Sequence, residues 1–454
     1  MEGLVSLIFL GLTTVSYIVV AALASRGVKT KESYLLGDRQ FSVRSITLTL
    51  IATQVGAGMI FGTAAESFNK GLMGIAYVLG MAIGLLILGL GVGAKLRSLD
   101  INTTAELFET KYGSKALRQL AALISILTMG GILAAQIVAS KQLFATLFNL
   151  NPIYLVIFWV LIIGYTTFGG LKAIVATDVL QVLLIVAIFA GVFFYIVPVG
   201  EIGPLLTQAP KIEGPIFSNG FFAALIAPIF FSLIEQDLAQ RCFAAKTKRV
   251  ATISALLAAG FLLVFTFVPI LLGMYAKTIG ITYAVGQSPL VLLFQSKLST
   301  LGITLVSCAL LAAICSTADS LLGAASTNLI ADFLPNNGKF SLALSRVLTL
   351  LVGIAALVVA FFFDDVIGII VKSYEISICA LFVPLILAMY LKRPAKLGAQ
   401  LSVGSGIAAY VVCSLAATTF SPTLIALIIS ALGYIAGASI QSMLRERVKS
   451  PAQN

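Results

Sequence analysis

"IATQVGAGMIFGTAAESFNKG", Ile51 to Gly71, stands where a membrane-crossing helix is expected, yet it holds Gly56, Gly58 and Gly62 within seven residues, with Thr53 and Gln54 just before them. Glycine weakens a helix interior by about 1 kcal/mol relative to alanine. The stretch therefore reads as an interrupted helix. Unwound backbone at bilayer depth is tolerated only where it lines a cavity or is buried in protein. A second stretch, "FFAALIAPIFFSLIEQDLAQRCFAAK" (Phe221 to Lys246), is also predicted to break, at Pro228, and Glu235, Gln236 and Asp237 follow. Two interrupted helices in corresponding positions point to a binding site between structural repeats.

The surrounding chain has the composition such helices need. It has 454 residues, 59% of them hydrophobic and 10% charged, and a mean hydropathy of +1.07. Soluble domains carry roughly 25% charged residues. Apolar runs near 20 residues recur, the length that spans a bilayer core, and the alternating ten-residue segments of a barrel are missing. The predicted fold class is an all-α polytopic membrane protein. There is no histidine, which excludes His-based metal sites, general bases and proton relays. The five cysteines form no CxxC pair and read as packed thiols. "AALAS" (Ala21 to Ser25) has the look of a processing site. The preceding residues hold Glu2 and no basic cluster, so 3–25 is expected to be a retained span.

Apolar runs and breakers predict about thirteen spans: 3–25, 44–68, 71–94, 117–147, 152–168, 173–198, 219–242, 250–276, 299–331, 341–362, 366–391, 396–416 and 419–444. An odd number puts the termini on opposite sides. One set of loops and helix ends, Arg241 among them, holds 23 of the 29 Lys and Arg; Lys70, Lys141, Lys211, Lys277, Lys297 and Lys372 are the others. The positive-inside rule then predicts an outside N-terminus and a cytoplasmic C-terminus. It also accounts for the net charge of +11 without nucleic acid. The interrupted spans are the second and seventh, five helices apart. Five is odd, so successive five-helix units run in opposite directions, as an inverted repeat requires.

A third stretch, "LLAAICSTADSLLGAASTNLIAD" (Leu310 to Asp332), is framed as a span but carries Ser316, Thr317, Asp319 and Ser320. A charge at bilayer depth costs about 2.5–3.5 kcal/mol on insertion scales. Ala313, Ser316, Thr317 and Ser320 recur at helical spacing and share a face; Asp319 lies beside it. Small hydroxyls pack membrane helices together, but that does not account for an aspartate. Adjacent hydroxyls, with carbonyls freed by a broken helix, suit a hard monovalent cation. Asp178, in "GGLKAIVATDVLQ", is a second acid, expected either buried or solvated at the cytoplasmic end.

At these residues the chain resembles the sodium:solute symporter family. "AAICSTADS", "YTTFGGLKAIVATDVLQ", "QRCFAAKT" and "LFVPLILAMYLKR" carry the resemblance, in the family's order. It implies a five-plus-five inverted-repeat (LeuT-like) core with discontinuous first and sixth core helices. The parts would be an extra helix and loop at 1–43, repeats at 44–198 and 199–392, and two further helices and a tail at 393–454. It implies sodium-coupled uptake of a small organic solute by alternating access in a plasma (bacterial inner) membrane. The conserved sodium site would use the carbonyls of Ala52, Val55 and Ala313 and the hydroxyls of Ser316 and Thr317. Some members hold a second sodium, here at Asp178, Ser316, Asp319 and Ser320. Asp319 replaces the pattern's serine, which adds a negative charge that tightens a second Na+ or carries a proton; one or two Na+ are thus expected. Substrate contacts transfer poorly: Gln54 replaces the proline symporter's aspartate, Ser232 replaces an aromatic, and Met59 and Val78 replace sugar-binding polar groups. Gln54, Met59, Gln136, Phe231, Glu235 and Glu375 are expected at the central cavity, the two glutamates favouring an amino acid or amine-bearing solute. Glu375 alternatively pairs with Lys372 on its own helix. Proton coupling through Asp178 or Asp319, and a transporter-like sensor, are the competing readings. The sensor is disfavoured because no signalling domain precedes Asn454. An enzyme is disfavoured because no nucleophile–base pair or metal-ligand cluster is present.

Overall fold

The computed structural model describes residues 2–144, 152–207, 219–284, 287–334, 342–362, 366–416 and 421–449. Lys211 and Lys339, counted in the charge asymmetry, lie outside the described residues. The described elements are helices, joined by short turns and one isolated bridge between Phe41 and Ala245. Their bounds follow the apolar runs, because a chain in hydrocarbon must satisfy its backbone groups internally.

Ten stretches of the described residues are long and apolar enough to cross a bilayer, and the protein is a multi-pass membrane protein. That number differs from the thirteen predicted segments for local reasons. Segments 152–168 and 173–198 lie in one 45-residue helix, Pro152–Ile196, kinked at Gly170. Segment 219–242 is split into two helices that are individually short, and segment 44–68 breaks at Val55, so that its second half joins 71–94 in one stretch, Gly58–Arg97. Gly170 has φ of +55°, and a side chain there would strike the Tyr34 carbonyl, so glycine is required at this bend. On the outer surface Leu127, Val264 and Leu415 are 65%, 74% and 82% exposed, as expected of a face turned to lipid rather than water.

The polar helix, Thr300–Asn328, lies at the centre. Seventy-eight per cent of its apolar window is buried, against 28% for the peripheral Leu342–Ala360 helix. It packs on the long kinked helix and on Lys115–Leu143. The Glu2–Ser25 helix lies against the long kinked helix, and Lys396–Leu415 pairs with Pro422–Lys449 at the edge.

Both predicted interruptions are present. The first broken helix runs Val43–Gln54, capped at its start by the Ser42 hydroxyl accepting from the Ser45 amide. It leaves helical geometry at Val55, whose ψ is 63°, and resumes through a π-turn at Gly58–Gly62 into Thr63–Lys70. The second runs Asn219–Ile234 and Gln236–Ala244, separated by Glu235 with φ −60° and ψ 127°. This corrects the expected break at Pro228, which lies inside the first segment. Proline's fixed φ fits a helix and removes one donor, whereas the extended ψ at Glu235 turns the chain out of the ladder. All five cysteines are free thiols.

Candidate functional site for a cation and a solute

Where the first broken helix leaves its helical path, the polar helix approaches within hydrogen-bonding distance. The Ser316 hydroxyl reaches the Ala52 carbonyl at 2.9 Å and the Ala313 carbonyl at 3.0 Å. The Thr317 hydroxyl reaches the Thr53 carbonyl at 2.9 Å and the Ala313 carbonyl at 3.2 Å. Each hydroxyl has one proton to donate and two carbonyls in reach. Five uncharged oxygens from two helices therefore gather in one place, all of them hard donors of the type an alkali cation takes. The helices approach this closely because Gly56 has no side chain: a Cβ there would collide with Thr317. The Ala57 amide, which the break deprives of its helical role, donates to Gln136 Oε1 at 3.1 Å. Val55 stands at the break itself; the carbonyl that Thr317 meets is Thr53's, one that sequence reasoning did not select.

The four residues expected at a second cation site do not converge. Asp178 is fully buried and forms an ion pair with Arg241 at 3.3 Å. Arg241 Nη2 also donates to Ser320, its Nε to the Thr49 hydroxyl at 2.9 Å, and its Nη1 to the Asp237 carbonyl at 2.9 Å. Thr49 in turn donates to Asp178. The cation that meets Asp178 and Ser320 is thus the protein's own guanidinium. Arg241 stands in the last turn of Gln236–Ala244, a helix end as expected, but its side chain is fully buried. Asp319 turns the other way. Its carboxylate accepts from Tyr165 and, at 2.7 Å, from Thr166, both on the long kinked helix. The helical spacing alone would leave Asp319 only about 60° from Ser316; it is the pull of Tyr165 and Thr166 that takes its carboxylate away from the Ser316 hydroxyl.

Beside the oxygen cage lies a contracted central pocket of about 20 Å³, lined in part by Gln54, Met59, Gln136, Glu235, Asp237 and Thr317. That is room for little more than a single water molecule. Four of the six residues predicted to face the cavity are there. Phe231 instead stacks on Tyr374, ring centroids 4.1 Å apart, and so backs the wall. Glu375 faces a different, larger pocket of about 310 Å³. Its carboxylate accepts from Tyr410 and Thr423, each at 2.8 Å; these, rather than Lys372, are the partners seen. Gly58, Tyr77, Ile370 and Tyr374 line both pockets and form the partition between them. The Tyr77 and Tyr374 hydroxyls meet at 3.0 Å.

Sequence reasoning missed Asp237, Tyr77 and Tyr374. Asp237 Oδ1 accepts the Leu238 amide at 2.7 Å, while its other oxygen has no hydrogen-bond partner among the described residues. The available signal was the Glu235–Asp237 pairing of two acids in one apolar run. The tyrosines gave no signal, since they meet only in the fold.

The opposite end of the assembly is tied shut. Gln236 Oε1 accepts from the Thr104 amide at 2.8 Å, and Gln240 donates to the Leu35 carbonyl at 2.6 Å and to Thr327 at 2.9 Å. Arg118 bridges Glu109 at 2.8 Å and Asp332 at 2.7 Å.

Known proteins share this architecture. A Na+-coupled sialic acid symporter in a substrate-bound outward-open state superposes with a TM-score of 0.83, at 17% identity over 97% of both chains. Mhp1, a nucleobase-cation-symport-1 transporter in a closed conformation with bromovinylhydantoin, gives 0.60, at 17% identity over 89% of this chain and 94% of that one. MhsT in complex with L-phenylalanine gives 0.59, at 14% identity over 87% of this chain and 97% of that one. These likenesses establish the LeuT-like fold. In sequence, the chain is 30% identical over 251 residues to a sodium-coupled monocarboxylate transporter from Xenopus laevis, a match covering 51% of this chain and 40% of the frog protein. The family model for sodium:solute symporters matches residues 34–406, most of the chain and all of the oxygen cage and central pocket described above; the chain belongs to the sodium:solute symporter family.

Proposed function

We propose that the protein couples the inward movement of Na+ to uptake of a small organic solute bearing a cationic or amine group. The observation that carries this reading is the meeting of the Ser316 and Thr317 hydroxyls with the Ala52 and Thr53 carbonyls at 2.9 Å. A sodium ion held by those oxygens ties the first broken helix to the polar helix. Val55 to Gly58, just beyond, then hold the wall of the solute pocket. Coupling of this kind is reciprocal: sodium tightens the solute by the same factor that the solute tightens sodium. One positive charge crossing 100 mV supplies about 2.3 kcal/mol, and a tenfold sodium gradient adds about 1.4 kcal/mol. Together they support more than hundredfold accumulation of a neutral solute, and a cationic solute gains from the membrane potential as well.

The amine preference is supported by Glu235 and Asp237 in the central pocket lining. The frog relative is named for monocarboxylates; two carboxylates at close quarters repel such a solute and attract an ammonium group. We place the N-terminus outside on the Lys and Arg asymmetry, which makes the 310 Å³ pocket the outward one and the Gln236–Thr104 end cytoplasmic. The contracted central pocket then describes a conformation closed toward the cytoplasm.

The test is uptake of radiolabelled amino acids and amines into proteoliposomes with an inward sodium gradient, against potassium in place of sodium. Sodium-dependent accumulation is expected, with loss of sodium dependence in Ser316→Ala/Thr317→Val. Uptake that follows a pH gradient and persists in potassium would favour proton coupling instead.

A further inference from the structure

The larger pocket is separate from the central one, and its own lining has a distinct chemistry. Its walls are mainly apolar or aromatic, with Val371, Tyr77 and Tyr374 among them. Its volume of about 310 Å³ falls in the range of small-molecule sites. Three charged groups line it: Glu66, Lys70 and Glu375. Glu66 and Lys70 neutralise each other in an ion pair of 2.7 Å, one helical turn apart. Glu375 is different. Both of its oxygens accept from neutral hydroxyls, Tyr410 and Thr423 at 2.8 Å, and no described Lys or Arg lies within ion-pair distance of it. Those two bonds fix the carboxylate in place and leave its charge uncompensated. A partly buried, immobilised carboxylate at an apolar cavity with aromatic walls selects for one class of ligand.

We propose that this pocket is a binding site in its own right for organic ammonium ions with an apolar or aromatic body, with Glu375 as the counter-charge. The site goes beyond the transport reading and does not depend on the driving ion or on Glu235.

The probe is phenethylamine, compared with 2-phenylethanol, which has the same body and no charge, and with phenylacetate, which has the opposite charge. Binding is measured by titration calorimetry on the purified full chain in lipid nanodiscs, in sodium-free potassium buffer. Saturable binding of phenethylamine is expected, at least tenfold tighter than that of the alcohol, with phenylacetate weakest. Glu375→Gln keeps one acceptor for the two hydroxyls, turns the other position into a donor that a hydroxyl oxygen can accept, and removes the charge; it should bring the amine down to the level of the alcohol. Glu235→Gln weakens any amine held in the central pocket, and the component of binding that Glu375→Gln removes should persist in it. Val371→Trp fills the cavity while keeping the charge of Glu375, and should abolish binding; it carries the test if Glu375→Gln does not fold. Absence of saturable phenethylamine binding overturns the proposal. So does undiminished binding in folded Glu375→Gln or in Val371→Trp, or loss of binding in Glu235→Gln, which would place the amine in the central pocket.

Discussion

The polar helix carries two clusters one turn apart, and they keep polar atoms inside a membrane by different means. Around Ser320 the protein supplies both signs of charge: Arg241 meets Asp178 at 3.3 Å and is further held by Thr49 and the Asp237 carbonyl. Around Ser316 and Thr317 it supplies only neutral oxygens, three carbonyls and two hydroxyls. The first cluster is complete without a guest. The second is rich in acceptors, holds two protons among five oxygens, and gains most from a small cation. The two differ by an ion pair, the Arg241 guanidinium with the Asp178 carboxylate, and that difference separates a structural lock from the proposed ion site along the same polar helix.

The comparison is broken most severely by removing the guanidinium. Arg241→Met leaves Asp178 buried without its cation. Breaking a buried pair from one side costs about 3–5 kcal/mol, so most of the folded protein should be lost, read by size-exclusion recovery and thermal melting. Adding Asp178→Asn should restore much of that loss, because the stranded charge is then gone. If the single change melts like wild type, the lock is not structural.

The cage is expected to respond chiefly to sodium. Ser316→Ala/Thr317→Val removes the two hydroxyls of the cage and, without sodium, their two interhelix hydrogen bonds, so stability in potassium should fall by about 1–3 kcal/mol, less than for the stranded charge. Sodium affinity should fall at least a hundredfold, about 2.8 kcal/mol on the scale of 1.4 kcal/mol per tenfold. Sodium-dependent thermal stabilisation is the readout, and its survival would remove the cage from the sodium site. Gly56→Ala should act through the same contact with a smaller effect. Its new methyl group strikes Thr317, and overpacking of this kind typically costs about 1–3 kcal/mol. Sodium affinity should drop about tenfold while the Asp178–Arg241 lock stays intact, seen as an unchanged melting temperature in potassium within a few degrees. An affinity equal to wild type would show that the close approach at Gly56 is not needed for the cage.

How much of this was legible in the sequence follows from where each interaction is encoded. The first broken helix was legible because Gly56, Gly58 and Gly62 violate the local rules of an apolar span; the second was expected at Pro228, whereas the chain leaves the helix at Glu235. The hydroxyl face was legible because Ser316, Thr317 and Ser320 repeat with helical period. The lock was not: Arg241 lies at the end of an apolar run in sequence, and only the meeting of three helices shows it to be fully buried. Hydropathy sorts a residue by its neighbours along the chain, and so a buried charge near a helix end is counted with the loop and helix-end charges. The direction of Asp319 was lost for a related reason: it shares a helix turn with Ser316, but its partners Tyr165 and Thr166 lie on a helix more than 150 residues earlier. Pro228 misled because proline marks a missing donor, and a membrane helix tolerates one missing donor.

The smallest effect is the most discriminating. Ser320 touches both clusters: it accepts from Arg241 and shares a 2.8 Å hydroxyl contact with Thr53, whose carbonyl belongs to the cage. If Ser320 belongs to the lock, Ser320→Ala removes one of several partners of the guanidinium, and stability falls by about 1 kcal/mol, the usual worth of a single hydrogen bond. Sodium affinity and the steepness of sodium activation stay unchanged. If Ser320 instead helps to hold a second sodium with Asp178, activation becomes less steep and solute uptake loses sodium sensitivity even though the protein melts normally. Sodium titration of uptake, set beside the melting curve, separates the two outcomes because the lock responds in stability and an ion site responds in sodium dependence.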